Sequence, residues 1–198
     1  MLQQQYAVMK ITKTIATLIA AATLSAHAGN VVCIGINDYT DYADLEHAEN
    51  DAAAVAKIFA SQGHTVTTLI GAEATRDAIL AALATNPDVV YFAGHGERDR
   101  LIAADASIAL TELAGSSATL LLDACFVGSS LKADGNVKVL AAAKHRAYEF
   151  NGHGIFTKHL IDWLTENGEI VADEVSTYVA KKIRRATGGS QKPVLGYI

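Results

Sequence analysis

The chain has 198 residues, about half of them hydrophobic and only two of them prolines, which is apolar material for one globular domain with a sizeable core. Its formal net charge is −5, and the one basic cluster, Lys181 to Ala186, sits late in a helical pattern where cations suit a helix C-terminus and a solvated face. A nucleic-acid partner, which needs a clustered basic surface against phosphate, is therefore not expected.

Residues 1–28 read as a secretory signal. Lys10 and Lys13 make a positive region, Ile15 to Ala22 an apolar one, and Ala26-His27-Ala28 a small-x-small cleavage site, with Met9 as an alternative start. The uncharged segment from Thr14 to Ala28 falls short of the ~20 residues that a membrane span needs. The expectation is an exported, periplasmic or secreted protein with no stable membrane anchor, and a single domain over 29–198. Loss of the two lysines deepens the net charge to −7. The chain has two cysteines, too few for a disulfide framework.

Taken in order, the rest alternates short apolar runs with amphipathic segments, the pattern of a parallel sheet flanked by helices. Val31 to Ile36 suits a strand buried on both faces. Leu45 to Gln62 carries Val55, Ile58 and Phe59 at helical spacing, with Gly63 placed as a C-terminal cap. His64 to Ile70 reads as a strand and Thr75 to Ala84 as a helix capped by Thr75. Asp88 to Ala93 and Ala118 to Ala124 are two more strands, separated by a short helical candidate around Leu110 to Ala114. Val137 to Ala143 is a fifth strand. Helices over Phe156 to Glu166 and Asp173 to Ala186 precede a last strand, Pro193 to Ile198.

Two of these strands end in residues able to do chemistry. His95 stands between Gly94 and Gly96 just past one strand, and Cys125 just past another. In open α/β sheets ligands sit outside the carboxyl ends of the strands. If the two strands are adjacent and parallel, a thiol and an imidazole emerge side by side as nucleophile and base. Gly96 can approach a substrate closely and aim its N–H at an oxyanion, and the Cys125 N–H can be a second donor. A helix beginning in "FVGSS" is expected to favour the thiolate through its dipole. The bland readings compete: a lone cysteine after an apolar run is more often a small buried hydrophobe, and a lone loop histidine is usually just solvated.

The elements "VVCIGINDYT", "AENDAAAVAKIF", "YFAGHG", "LLLDACFVG", "GIFTKHLIDWL" and "QKPVLGYI" occur in the order seen in caspase-like cysteine peptidases. From Val31 to Ile198 the chain resembles the bacterial metacaspase-like (orthocaspase) and paracaspase branches of that family more than animal caspases. The resemblance implies a three-layer α/β fold, a six-stranded and mostly parallel sheet with helices on both faces, and cleavage of peptide bonds in peptide or protein substrates. It implies that Cys125 is the nucleophile, His95 the base and later the leaving-group acid, and the N–H groups of Gly96 and Cys125 the oxyanion hole. It places Asp123 and Asp51 in the pocket for the residue before the cut (P1), where negative charge favours Arg or Lys. Asp51 reads equally well as a first-turn helix residue facing the dipole. In the sheet that the resemblance implies, the third strand lies between Cys33 and Cys125, two spacings or roughly 9.6 Å, too far for a disulfide; Cys33 is expected in the core.

The departures from that family carry information too. "CFVG" delays the glycine expected close behind the nucleophile, Ala93 replaces a serine common in metacaspases, and no long insertion follows Cys125 to hold a processing site. Asp99 and Asp105 are nearby acids, but no calcium set is assignable and no cofactor is expected. His145, His153 and His159 lack zinc-ligand spacing. Tyr148, Phe150 and Trp163 are expected to pack the core or edge the groove. Other readings are a non-proteolytic caspase-like module that binds peptides or partners, and another thiol amidohydrolase acting on small molecules.

Overall fold

The computed structural model describes residues 28–115, 117–150 and 152–198. The expected secretory segment, apart from Ala28, lies outside the described residues.

In chain order the elements begin with β1 (Asn30–Gly35), α1 (Ala48–Ser61), β2 (Thr65–Ile70), α2 (Arg76–Leu83) and β3 (Val89–Ala93). A small antiparallel sheet follows: β4 (Gly96–Glu97), β5 (Arg100–Ile102) and β6 (Ser107–Ala109), then α3 (Leu110–Leu113). After β7 (Thr119–Asp123) and β8 (Lys138–Ala141) comes a hairpin of β9 (Glu149–Phe150) and β10 (His153–Gly154). The chain closes with α4 (Ile155–Asn167), α5 (Ala172–Thr187) and β11 (Val194–Tyr197).

Six strands make the central sheet in the order β2-β1-β3-β7-β8-β11, parallel except for β11 against β8. Because strand side chains alternate between faces, one apolar run supplies two cores. Val32, Ile34, Val90, Phe92, Leu120 and Leu122 pack on one face with Ile79 and Leu83 of α2 and with Leu110 and Leu113 of α3. Val31, Cys33, Tyr91, Leu121 and Leu140 pack on the other with Val55 and Phe59 of α1, Leu160 and Leu164 of α4, and Val179 and Ile183 of α5. The fold is the three-layer arrangement expected from the sequence.

The elements differ from the sequence expectations mainly at their starts. Helix α1 begins at Ala48 rather than Leu45, because residues 38–47 form a loop fastened at its base. Leu45 N–H donates to the Asn37 carbonyl at 2.9 Å, while Asn37 and Glu49 exchange backbone-to-side-chain bonds at 3.2 Å each. Thr75 caps α2 as expected, its hydroxyl accepting from Ala78 N–H at 3.2 Å. Strand β3 lies between β1 and β7 as expected, and Cys33 and Cys125 are both free thiols, Cys33 fully buried. Trp163 packs against Tyr178 in the core layer, whereas Phe150 stands exposed on the hairpin.

Candidate active site

Strands β3 and β7 are neighbours in register, with Ala93 opposite Asp123. Two residues beyond each, the backbones deliver His95 and Cys125 into one cleft of about 390 Å3 that is also lined by Asp51, Asp123, Glu149 and Gly154. The equal 30-residue offset of the two pairs is what aligns them at the sheet's carboxyl edge.

His95 is held on three sides. Its N–H donates to the Tyr39 hydroxyl at 3.1 Å, and its ring sits 4.7 Å from the Tyr39 ring and 5.3 Å from the Tyr42 ring, centroid to centroid. Its Nε2 lies 2.6 Å from the Ala43 carbonyl oxygen. A carbonyl only accepts, so Nε2 carries the proton and Nδ1 keeps its lone pair as the basic nitrogen. The loop before α1 is thus the part that sets the tautomer. Nothing in its sequence pattern marks the Ala43 carbonyl, because backbone groups carry no residue signature.

Gly96 is sterically required. A Cβ there would stand 2.8 Å from the Cys125 carbonyl oxygen and 2.9 Å from the Ala124 Cβ. Ile102 N–H donates to His95 O at 3.1 Å, which makes Gly96 and Leu101 the non-hydrogen-bonded pair of the β4–β5 ladder. The Gly96 N–H therefore points out of that ladder. Among the described residues, no acceptor takes the Cys125 N–H.

The surroundings of the thiol correct one expectation. No α-helix starts behind Cys125; Val127–Ser129 form a single 3₁₀ turn, too short to carry a useful dipole. The chain is committed there to a tight reversal, with Gly128 N–H bonded to Ala143 O at 3.1 Å and Phe126 N–H to His145 O at 2.6 Å. A different donor faces the sulfur: Ala147 N–H lies 3.4 Å from Cys125 Sγ. The delayed glycine of "CFVG" also has a structural consequence. Phe126 adopts φ 64°, ψ −18°, a left-handed conformation that costs a residue with a Cβ about 1–2 kcal/mol.

The floor of the cleft is acidic. Asp123 is 8% exposed and accepts from the Thr157 hydroxyl at 2.6 Å and the Thr157 N–H at 3.2 Å. Thr157 in turn shares a buried hydrogen bond with the Tyr91 hydroxyl. Burial, reinforced by the negative charge of Asp51, pushes the Asp123 carboxyl up to about 7, against the pull of the Thr157 donors. Asp51 is 2% exposed, accepts from Gly154 N–H at 2.8 Å, and is paired with Nδ1 of His153. Burial raises its carboxyl as well, offset by the Gly154 and His153 bonds. Asp51 stands in the first turn of α1 and lines the cleft. Gly154 separates the two carboxylates, since a Cβ there would run into Asp123 Oδ2 and come within 3.2 Å of Asp51 Oδ2. Ala93 adds no polar group to this wall.

Several residues here escaped the sequence reading. Tyr39 and Thr157 lie within the elements "VVCIGINDYT" and "GIFTKHLIDWL", but nothing in those runs singles them out, and with Glu149 and His153 they reach the site only through tertiary packing. Tyr148 edges the cleft as expected. Among the described residues, no group of three or more His, Cys, Asp or Glu side chains is arranged to hold a metal ion.

A parallel-dominated α/β sheet with a thiol, an imidazole and backbone donors at its carboxyl edge defines the class of protein: an α/β domain with its cleft at the strand ends. The chain belongs to the caspase domain family, peptidase family C14, whose model matches residues 28–197. Membership makes it a protein of the cysteine-peptidase type, with protein or peptide substrates. No curated protein matches the chain.

Proposed function

We propose that this protein is a cysteine endopeptidase that cuts after Arg or Lys by means of a Cys125/His95 dyad. The observation that carries the proposal is the single cleft that holds His95 and Cys125 above two buried carboxylates. In this mechanism His95 Nδ1 takes the thiol proton, and the Cys125 thiolate attacks the carbonyl carbon of the scissile bond. The Gly96 and Cys125 N–H groups hold the resulting oxyanion. As the tetrahedral intermediate collapses, the C–N bond breaks and the imidazolium gives its proton to the leaving amine, which leaves a thioester on Cys125. A water deprotonated by His95 then attacks the thioester, and the released thiolate regains the proton. The Ala43 carbonyl stabilises the imidazolium formed in each half.

The P1 preference follows from charge. Asp51 and Asp123 face an Arg or Lys side chain favourably and an acidic one unfavourably, at a site where little water screens them. Residues 1–28 act in this proposal as an export signal, so the working enzyme starts at Gly29; N-terminal sequencing of the exported protein tests that.

The central test compares Arg- and Lys-ended reporter peptides on the reduced protein and its Cys125→Ala variant. Cleavage is expected to fall by at least about 10³-fold in the variant, and equal activity in both would sink the proposal. A wild-type protein that stays unreactive toward a thiol-directed, Arg-containing inhibitor would point instead to a peptide-binding module. Turnover of small free amides without peptides would point to an amidohydrolase.

A further inference from the structure

We propose that His153 is a positioning residue for recognition of the P1 side chain: it holds Asp51 as a fixed charge that the substrate does not bond, so that Asp123 Oδ1 is the oxygen that binds the P1 cation. The inference rests on the peptidase reading of Cys125 and His95 and assigns each acid of the floor its part.

It follows from where the carboxylate oxygens of the floor find their donors. Asp51 Oδ1 is paired with His153 Nδ1, and Asp51 Oδ2 accepts from Gly154 N–H at 2.8 Å. Asp123 Oδ2 takes both donors of Thr157, the hydroxyl at 2.6 Å and the N–H at 3.2 Å. Asp123 Oδ1 receives no hydrogen bond among the described residues. That oxygen is not sealed either, for the one described side-chain polar atom that is closed to solvent and lacks a partner is Gln62 Oε1. A carboxyl only 8% exposed thus keeps one unpartnered oxygen open at the cleft it lines. An entering cation meets Asp123 Oδ1 free and both Asp51 oxygens already engaged.

His153 is what keeps Asp51 in that state. A carboxylate only accepts, so the imidazole carries a proton on Nδ1 and donates it. The ring bonds Asp51 but does not line the cleft, whereas Asp51 and Gly154 do; His153 therefore acts through Asp51 and not on the substrate. A carboxyl buried as Asp51 is favours its neutral form unless donors hold the charge, and His153 and Gly154 are the two that do. Fastening the β9–β10 hairpin does not depend on the imidazole, because Asn50 Nδ2 donates to Gly152 O at 3.1 Å and Gly154 N–H binds Asp51 as well. The charge held on Asp51 lies close to Asp123, since a single Cβ on Gly154 would meet both carboxylates. It adds to the attraction for a P1 cation without competing for the bond.

The test scores kcat/KM for reporters with Arg or citrulline at P1 at about pH 8, above the Asp123 titration. Loss of the Asp51 charge lowers the Asp123 carboxyl, so Asp123 stays ionised in every variant. His153→Phe keeps a ring without the donor, and His153→Asn keeps an N–H near the place of Nδ1 without the ring. The Arg-to-citrulline ratio is expected to fall at least about fivefold in His153→Phe and to stay within about twofold of wild type in His153→Asn. Asp51→Asn lowers the ratio as His153→Phe does, and combining the two lowers it no further. Alkylation of Cys125 by iodoacetamide keeps its wild-type rate throughout. An unchanged ratio in His153→Phe overturns the proposal, as does a ratio equally low in His153→Asn or a further fall in the double variant. Equal losses on both reporters with slower alkylation would make His153 a structural anchor and overturn it too. All of these outcomes leave the peptidase reading standing, whereas a wild type that cleaves neither reporter sinks both.

Discussion

Replacing Asp123 by Asn tests the electrostatics of the cleft floor most directly. The amide is nearly isosteric and still accepts from the Thr157 hydroxyl and N–H, so the change removes the charge and little else. In the wild type, burial pushes the carboxyl from its ordinary 3.8 up to about 7, with Asp51 adding to the effect. The difference between 3.8 and about 7 corresponds to about 4 kcal/mol between the two protonation states. This is a raised carboxyl, so the sign is the reverse of the common case. Below about pH 4 the group is protonated in both folded and unfolded chains. Between there and about pH 7 the folded chain keeps a proton that the unfolded chain has lost, and stability therefore falls as pH rises. Above 7 the loss is complete. Urea unfolding of both proteins from pH 4 to 8 should show the wild type losing up to about 4 kcal/mol relative to Asp123→Asn across that window. Asp51 and Asp123 are coupled, so the pH-dependent difference between the two proteins belongs to the pair, with the Asp123 charge as its source. A difference that does not vary with pH would refute the reasoning.

The same variant has a catalytic readout. An Arg side chain in the pocket restores the favourable state of the carboxylate, so the ratio of kcat/KM for Arg over citrulline reporters should rise through pH 7 in the wild type. Both reporters use the same Cys125 and His95, and the titration of those groups cancels in the ratio. In Asp123→Asn the ratio should be at least about tenfold lower and should lose the rise through pH 7. Equal ratios in the two proteins would remove Asp123 from P1 recognition.

Other changes probe the supports of the site. Gly154→Ala sets a methyl against Asp123 Oδ2 and close to Asp51 Oδ2; Arg-reporter cleavage should fall much more than alkylation of Cys125 by iodoacetamide, and parallel losses would contradict a blocked P1 pocket. Gln191 is 1% exposed, and its side chain accepts from Tyr148 N–H at 3.0 Å and donates to Ala142 O at 3.1 Å. Gln191→Leu leaves both groups unpaired at about 1–3 kcal/mol each. It should lower Tm by several degrees and raise KM more than it lowers kcat, because Tyr148 and its neighbour Ala147 line the cleft; a Tm within error of wild type would refute the role of that bridge.

Much of this protein was legible before any coordinates. Apolar runs such as Val31 to Ile36 are buried on both faces and so declare a parallel sheet, and the amphipathic spacing of Val55, Ile58 and Phe59 declares a helix lying on it. His95 and Cys125 were legible as candidates because each follows a strand, and strand ends are where ligands sit in such a sheet. The short strands β4 to β6 and the β9–β10 hairpin were not visible, since two- and three-residue strands leave no periodicity. The helix expected behind Cys125 proved to be one turn, because backbone bonds from Ala143 and His145 draw the chain into a reversal that no local pattern announces.

The amino-acid order by itself thus carried the alternation of strands and helices, which follows from burial patterns and turn chemistry within a dozen residues, while the family resemblance supplied the layering and made His95 and Cys125 a candidate pair. Only tertiary structure decided which nitrogen of His95 is basic, because the Ala43 carbonyl that sets it comes from a loop 52 residues away. Tertiary structure likewise decided that Asp51, Asp123, His153 and Thr157 share one floor, their contacts spanning 34 to 103 residues. The charge of each group was written in its residue type, but its burial and its neighbours were not, and these set what that charge does.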